Sequence, residues 1–159
     1  KSARRHSILQ DKLNMDYIGQ LCQKESIMDC IFCKIIKGEI PSYKIYEDDM
    51  TYAFLDIASD SYGHTLVIPK KHYVNALDCN KKYLRATIDS VQKISRHFVD
   101  NCGFEGVNIL NASGQSAQQS VFHLHFHIIP RKSDDGIDIW ALKDKKDLDL
   151  AEICKKLKI

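Results

Sequence analysis

The sequence predicts an α+β fold, in which one long helix and short flanking helices pack on an antiparallel sheet of five to six strands. Short apolar or alternating segments between turn residues indicate the strands, and neighbouring segments are spaced as hairpins. The apolar residues Leu84, Ile88, Val91, Ile94 and Phe98 recur every three or four positions, which predicts a helix with one stripe facing the core. Successive antiparallel strands with a single long helix are typical of the α+β class.

Each element has a local signal. The short helix in KIIKGEIP is closed by Gly38 and Pro41, and the long helix is capped by Asp78 or Asn80 and ends near Gly103. Strands are predicted at 44–47, 51–56, 64–69 and 106–110, followed by a strand that carries His123, His125 and His127 and by a last helix with Leu150, Ile153 and Leu157 on one side.

The bulk composition indicates an ordinary globular chain. Its 159 residues and net charge of +2 suit one domain and give no case for a nucleic-acid or membrane surface. The basic start KSARRHSILQ lacks the apolar core of a secretory signal, so we expect a cytoplasmic protein. The six cysteines are accordingly expected to be reduced thiols rather than disulfides.

Two parts of the chain differ in character. Residues 1–27 are polar with weak helical spacing, and we interpret them as an N-terminal extension. Residues 28–159 carry all the motifs that point to chemistry, so we expect them to form the domain.

The segment FHLHFHIIPR, residues 122–131, places three imidazoles at alternate positions. On a strand, His123, His125 and His127 would share one face, and the apolar residues between them would share the other. Neighbouring rings would stand about 6–7 Å apart, which suits contact with successive atoms of a phosphate chain. Such clusters commonly mark functional sites, so a merely solvated face is the weaker interpretation. The histidines could bind a metal ion, or one could be a nucleophile assisted by its neighbours.

A second candidate site is the pair Cys30 and Cys33, which has the spacing of half a zinc site. The sequence contains no second pair of this kind, so further ligands would be histidines. Two close buried thiols without a metal are the alternative, and a redox pair is less favoured because no strand–CxxC–helix unit surrounds it. Spacing alone does not join His72 to these cysteines.

Several motifs together resemble a known family. The run from His123 to His127, followed by IIPR, is similar to the signature of the histidine triad (HIT) family. The segments DCIFCKIIKGEIPSYKIYEDD, AFLDI, GHTLVIPKKH and GVNIL, in this order, resemble its nucleotide-binding (Hint-like) branch in the bacterial form that bears a CxxC zinc site. The resemblance covers about residues 28–140, and it is specific because several motifs agree in order and separation.

The resemblance implies a HIT-like domain, usually a homodimer, that hydrolyses or transfers nucleotides of the AMP or GMP type. AMP-linked phosphoramidates, acyl-adenylates and dinucleotide polyphosphates are the implied substrates, and neither nucleic acid nor membrane is an implied partner. By position, His125 is similar to the family's nucleophile, which forms a covalent nucleotidyl-histidine that water then hydrolyses. His127 and Ser120 match residues that contact the phosphate or the leaving group.

The resemblance also implies the binding residues. Asp56 matches the carboxylate that holds the ribose hydroxyls. The other positions that match the nucleotide-binding set are Ile31, Phe32, Ile35, Phe54, Leu55, Ile57 and Gln119. In zinc-bearing members, the residues that match Cys30, Cys33, His72 and His123 form the metal site. Four protein ligands would close a tetrahedral shell, so this zinc is expected to be structural.

The loop at 111–119 departs from the family pattern. The family often has asparagine or glutamine at the position of Ala112, which helps to position phosphate, and glycine at the position of Gln118. Asn111 or Ser113 is expected to position phosphate in place of the polar residue that is missing at position 112. We expect Gln118 to be strained if its position needs a positive φ.

Three functions are therefore compared. The first is a nucleotide hydrolase or nucleotidyl transferase that works through His125. The second is a zinc hydrolase with a catalytic metal, for which chelation should abolish activity without a phosphohistidine ever forming. The third is a nucleotide-binding protein with little turnover, for which AMP should bind tightly while hydrolysis stays near background.

Overall fold

The computed structural model describes residues 29–57, 61–139 and 149–159. The strands are β1 Lys44–Glu47, β2 Thr51–Leu55, β3 Thr65–Pro69, β4 Gly106–Leu110 and β5 Phe126–Arg131, and the helices are α1 Ile31–Ile36, α2 Lys81–Cys102 and α3 Leu150–Leu157. The strands form one sheet in the order β1-β2-β3-β5-β4, and every neighbouring pair is antiparallel. The predicted α+β class is confirmed. The predicted extension at 1–27 lies outside the described residues.

The long helix α2 begins and ends at its predicted capping residues. The side chain of Asn80 accepts a hydrogen bond from the N–H of Lys82 at 2.9 Å, which satisfies one of the unpaired donors of the first turn. Gly103 ends the helix with a φ of 73°, a conformation that only glycine adopts at little cost.

One position of the predicted α2 stripe is wrong. Ile88 is 43% exposed, whereas the adjacent Thr87 and Ser90 are buried. Their hydroxyls are satisfied inside the protein, since Thr87 donates to the carbonyl of Tyr83 and Ser90 bonds to the hydroxyl of Thr51, each at 2.8 Å. Satisfied small polar residues can therefore occupy the contact with the sheet, and Ile88 is turned away from it.

The two faces of the sheet are covered differently. One face packs on α2 through a cluster that includes Ala53, Val67, Leu124, Phe126 and Ile128 from the sheet side and Val91, Ile94 and Phe98 from the helix. The opposite face packs on α1 through Phe32, Ile35, Tyr52, Phe54, Leu66 and Ile68. Because successive strand residues point to opposite faces, the sheet separates the larger apolar core from the side that carries the histidines.

The predicted strand through the three histidines begins later than expected. Only His127 lies in β5, because this strand begins at Phe126. Pairing with β3 stops short of Pro69, which has no N–H to donate and whose carbonyl accepts a hydrogen bond from Nε2 of His123 at 2.9 Å. The segment that carries His123 and His125 is therefore held by other hydrogen bonds, including one from the N–H of Leu124 to the carbonyl of Tyr73 at 2.6 Å.

The C-terminal helix α3 is capped by Asp149, whose side chain accepts hydrogen bonds from the N–H groups of Ala151 and Glu152. Leu150 and Leu157 on this helix are exposed. Among the helices of the described residues, none combines the length and the apolar character needed to cross a membrane.

Candidate active site and metal centre

His125 is buried and held in one tautomer. Its Nδ1 lies 2.6 Å from the backbone oxygen of His123, and because a carbonyl only accepts, Nδ1 carries the hydrogen and Nε2 keeps its lone pair. Burial lowers the pKa of His125 below its usual value, which favours the neutral ring at pH 7. The side-chain amide of Asn111 donates to the backbone oxygen of His125 at 2.8 Å. This arrangement presents a neutral imidazole nitrogen with the properties of a nucleophile.

His64 joins the site although sequence reasoning gave it no role. Its Nε2 lies 2.8 Å from Nδ1 of His127, and its Nδ1 lies 3.8 Å from a carboxylate oxygen of Asp56. The rings of His127 and His125 have centroids 4.9 Å apart, closer than the predicted 6–7 Å because the bond from His125 to the preceding backbone oxygen holds its ring outside the strand geometry. A carboxylate and two paired imidazoles beside a nucleophile can hold and pass a proton.

A simple signal could have found His64. It comes directly before β3, and strand alternation puts it on the same face as Leu66 and Ile68, which belong to the cluster on the α1 side. A buried histidine on the face that carries the other imidazoles is a candidate partner. The spacing within the run of three histidines does not include His64, because His64 belongs to a different strand region.

An apolar cavity of about 320 Å³ lies on the α1 side of the sheet. Its lining includes all the predicted nucleotide-binding residues except Gln119, namely Ile31, Phe32, Ile35, Phe54, Leu55, Asp56 and Ile57. It also includes residues for which the sequence predicted no contact with nucleotide, namely Ile40, Pro41, Ser42, Tyr43 and Leu66. An apolar cavity with one carboxylate at its edge suits a planar base with a polar, hydroxyl-bearing sugar.

Gln119 is buried in the loop before the histidine segment and does not line this cavity. Its amide oxygen accepts from the N–H of Gly114 at 2.8 Å, and its amide nitrogen donates to the carbonyls of Val74 at 2.6 Å and Val121 at 3.0 Å. The structure thus places Gln119 as a brace of the loop, and its contact with nucleotide stays a prediction.

The loop at 111–119 adopts the conformation for which strain was expected. Gln118 has a φ of 63°, in the left-handed region where glycine is favoured. The two suggested substitutes for a polar residue at position 112 are engaged within the protein. Ser113 Oγ donates to the amide oxygen of Asn111 at 2.7 Å, and the N–H of Ala76 donates to Ser113 Oγ at 3.3 Å. Ser120, at the end of this loop, is exposed.

Cys30, Cys33, His72 and His123 form a second cluster, in which one donor atom from each lies within 4.8 Å of the others. The sulfur of Cys33 is 3.4 Å from Nδ1 of His72 and 3.6 Å from Nδ1 of His123, and the sulfur of Cys30 is 3.4 Å from the latter atom. Sulfur and nitrogen ligands of a tetrahedral zinc ion stand about 3.5 Å apart, given bonds of about 2.3 and 2.0 Å. Both the donor set and its spacing therefore fit zinc.

The hydrogen bonding of this cluster also fits a metal. Nε2 of His123 donates to the carbonyl of Pro69, so its Nδ1 has a lone pair aimed at the thiols. Nε2 of His72 is buried without a hydrogen-bond partner in the described part of the chain, and its ring lies edge-on to that of His123 with centroids 4.8 Å apart. His72 is therefore held by contacts within the cluster itself, and a metal bond at Nδ1 would add to them.

The thiols are unequal in acidity. Burial opposes ionisation of Cys30, but hydrogen bonds with the rings of His123 and His72 lower the pKa of its thiol to about 5. Burial and the nearby charge of Cys30 raise the pKa of Cys33 to about 12. The pair therefore carries one thiolate near neutral pH, and a bound dication would favour the second.

The chain is similar to known proteins over most of this structure. A family model described as HIT domain matches residues 37–134. The relative called protein hit from Bacillus subtilis is 45% identical over 133 residues, which cover 81% of this chain and 92% of the relative. An adenosine 5′-monophosphoramidase of Candida albicans is 40% identical over 135 residues, covering 81% of this chain and 89% of its own.

A solved structure bears on the metal centre. The zinc-bound histidine triad family protein from Mycobacterium smegmatis has a TM-score of 0.67 and 37% sequence identity to this chain. The match covers 70% of this chain and 81% of that one.

Proposed function

Because this chain belongs to the histidine triad family, we propose that it is a nucleotide hydrolase or nucleotidyl transferase that acts through a covalent nucleotidyl-histidine at His125. The observation that carries the proposal is the fixed tautomer of His125, since its Nδ1–H is bound to a backbone oxygen and its Nε2 keeps a lone pair. The phosphoramidase activity named for the Candida albicans relative supports the class of reaction.

The proposed first step is attack of Nε2 of His125 on the phosphorus of a nucleoside monophosphate derivative. A P–N or P–O bond to the leaving group breaks as the N–P bond forms, and the leaving group takes up a proton. Water then attacks phosphorus, releases the nucleotide and returns the imidazole to its neutral form. The paired rings of His64 and His127 are within reach of this centre and are the proposed proton carriers.

The substrate is proposed to be an AMP-linked phosphoramidate, an acyl-adenylate or a dinucleotide polyphosphate, with GMP-type nucleotides also accepted. Asp56 at the cavity edge would hold the ribose hydroxyls, and the apolar walls would hold the base. Ser120 and His127 would contact the phosphate. An apolar cavity gives little discrimination between purines, because its side chains recognise the shape and apolar surface of a base rather than its hydrogen-bond donors and acceptors.

The cluster of Cys30, Cys33, His72 and His123 is proposed to hold zinc as a structural ion. Four protein donors close a tetrahedral shell, so the metal supplies a cross-link between segments of the chain. The reaction is therefore assigned to the imidazoles of the neighbouring cluster. Metal analysis of the purified protein and of Cys30→Ser tests this assignment, since unchanged metal content in the variant would contradict it.

We also propose a cytoplasmic homodimer. Strand β4 is at one edge of the sheet, and its Ile109 is 48% exposed. Ile88 and Val99 are exposed apolar residues of α2, three helical turns apart on nearly the same side. Within the described residues β4 has a strand neighbour on one side only, and an edge strand and a helix with exposed apolar residues are surfaces that association would cover. A light-scattering mass equal to one chain would contradict this assignment.

The decisive experiment is to trap the covalent intermediate. The protein is mixed with an AMP-lysine phosphoramidate, quenched in denaturant at alkaline pH, digested and analysed by mass spectrometry. We expect adenylyl groups on the peptide that contains His125, together with release of AMP, and neither should occur with His125→Ala. A turnover equal in wild type and variant would contradict the proposed nucleophile. Activity abolished by chelation without any adenylylated peptide would favour a catalytic metal.

A further inference from the structure

We propose that the metal centre holds the nucleotide pocket and the nucleophile in their working geometry, so that affinity for a nucleoside monophosphate depends on metal occupancy. This inference rests on the proposed function and deepens it by assigning Cys30, Cys33 and His72 as positioning residues. Three connections in the described structure carry it, and each links the cysteine–histidine cluster to a different part of the site.

The first connection runs through helix α1. Cys30 precedes this helix and Cys33 lies within it, while Ile31 and Phe32 between them line the apolar cavity. The helix has six residues and no side-chain hydrogen bond at its N-terminus. A helix this short is unstable without tertiary anchoring. A metal bound to both sulfurs would anchor the helix, and with it one wall of the cavity.

The second connection runs through His123. Its Nδ1 faces the two thiols, and its Nε2 is bound to the carbonyl of Pro69. The backbone oxygen of this same residue accepts the hydrogen from Nδ1 of His125 and so selects the reactive tautomer. A metal bond would immobilise the side chain of the residue whose carbonyl orients the nucleophile.

The third connection is the ring of Phe32, which lies between the two clusters. Its centroid is 5.8 Å from that of His123 and 5.4 Å from that of His125, and both contacts are edge-on. It also meets the ring of Phe54 edge-on at 5.5 Å, inside the cavity lining. Displacement of α1 would therefore change the pocket wall and the packing around the nucleophile together.

The face of the sheet that packs on α2 should be little affected by loss of the metal. The cluster on the α2 side contains none of the four proposed metal ligands, and it holds α2 against the sheet by apolar contacts. Loss of the metal should therefore loosen α1 and the segment before β5 while the α2 side stays folded. An ion that stabilised only the domain as a whole would instead destabilise both sides of the sheet when it is removed.

The test compares AMP binding by the full chain with and without its metal. Isothermal titration calorimetry is performed on zinc-loaded protein, on the same protein after a chelator and dialysis, and after zinc is restored. Cys33→Ser is the variant that removes a donor, and Cys102→Ser is the matched control because this thiol is exposed and outside the cluster. Hydrogen exchange read by mass spectrometry is recorded on each sample.

We expect metal removal and Cys33→Ser to weaken AMP binding at least tenfold, and restored zinc to recover the affinity of the chelated wild type. Exchange should rise in peptides that cover residues 30–36 and 122–126 and stay unchanged in α2. Cys102→Ser should match wild type in both measurements.

Three outcomes would overturn the inference. If the zinc-loaded and the metal-free protein bind AMP with affinities within twofold of each other, this inference is wrong but the proposed function is unaffected. Exchange rising equally in α2 would make the effect one of global unfolding. Failure of the zinc-loaded protein to bind AMP, or to take up zinc, would remove the proposed function or the metal centre itself, and this inference with it.

Discussion

Two clusters of imidazoles meet at His123 and His125, yet their rings are satisfied in opposite ways. In the cysteine–histidine cluster, the ring of His123 directs Nδ1 at two thiols and donates from Nε2 to a backbone oxygen. In the cluster of His125, His127 and His64, His125 donates from Nδ1 to a backbone oxygen and keeps the lone pair at Nε2. The partner of each ring, rather than the residue type, decides which nitrogen is available for chemistry.

The short segment 123–125 contributes one histidine to each cluster. The two residues are joined by a single hydrogen bond from the side chain of one to the backbone of the other. Replacing the ring of His125 can therefore leave the cysteine–histidine cluster in place, provided that the backbone is undisturbed. Loss of reactivity without loss of metal is the experimental signature of two clusters.

The largest effect is expected when two single alanine variants of this segment, His125→Ala and His123→Ala, are compared. His125→Ala should reduce AMP release from a phosphoramidate by at least about 10³-fold, the scale seen when a nucleophile is removed, while zinc content stays at the wild-type value. His123→Ala should lose zinc, and its affinity for AMP should fall with the metal. Steady-state kinetics and metal analysis on both variants check this, and loss of zinc in His125→Ala would show that the clusters are not separable.

A smaller effect is expected for His64→Ala, because it removes one of the two proposed proton carriers but not the proposed nucleophile. We expect kcat to fall about 10²-fold, the low end for loss of a general acid or base. His97→Ala is the control, since this residue is exposed on α2. Adenylylation of the peptide containing His125 should persist. A kcat within a factor of two of wild type would remove His64 from the site.

A substitution outside both clusters and outside the apolar cavity should affect stability alone. Asp48 accepts hydrogen bonds from the N–H groups of Met50 and Thr51 at 2.8 and 2.7 Å and from Tyr46 Oη at 3.0 Å. Loss of these bonds in Asp48→Ala should lower the free energy of unfolding by about 1–2 kcal/mol, with KM and zinc content unchanged. Urea unfolding at pH 7 measures this, and a change in KM would contradict the separation.

The same carboxylate should show a defined pH dependence. Burial opposes its ionisation, but the hydrogen bonds from Met50, Thr51 and Tyr46 outweigh it and lower the pKa of Asp48. Because the pKa is lower in the folded state, the stabilisation is present above the unfolded pKa of about 3.9 and is lost as pH falls through the folded value. The stability difference between wild type and Asp48→Ala should therefore shrink below about pH 4.

The smallest effect is expected in the loop before the histidines. Gln118 has a φ of 63°, so Gln118→Gly should relieve strain and raise the free energy of unfolding by up to about 1 kcal/mol. Gly114→Ala is the reverse change, because Gly114 has a φ of 102° and should lose stability when given a side chain. If Gln118→Gly lowers the free energy of unfolding in urea, contacts of the Gln118 side chain stabilise the fold by more than its positive φ destabilises it.

Much of the fold followed from local signals. The α2 boundaries followed from Asn80 and Gly103, because capping is a local matter of one side chain or one φ angle. The start of β5 could not be predicted in this way. It depends on Pro69 of β3, which has no backbone N–H to donate to the segment that precedes β5. The exposure of Ile88 likewise depends on hydroxyls paired across the helix–sheet contact, which no spacing rule records.

The sequence by itself determined the α+β class, the family and the candidate ligands, because these depend on residue type, periodicity and motif order. Only the tertiary structure brought His72 to Cys33, His64 to His127, and Gln119 into its loop rather than the cavity. It also decided that His123 and His125 offer different nitrogens. Tautomer and proximity arise from partners distant in the chain, whereas alternation along a strand gives the face on which a side chain lies but not the atom that it contacts.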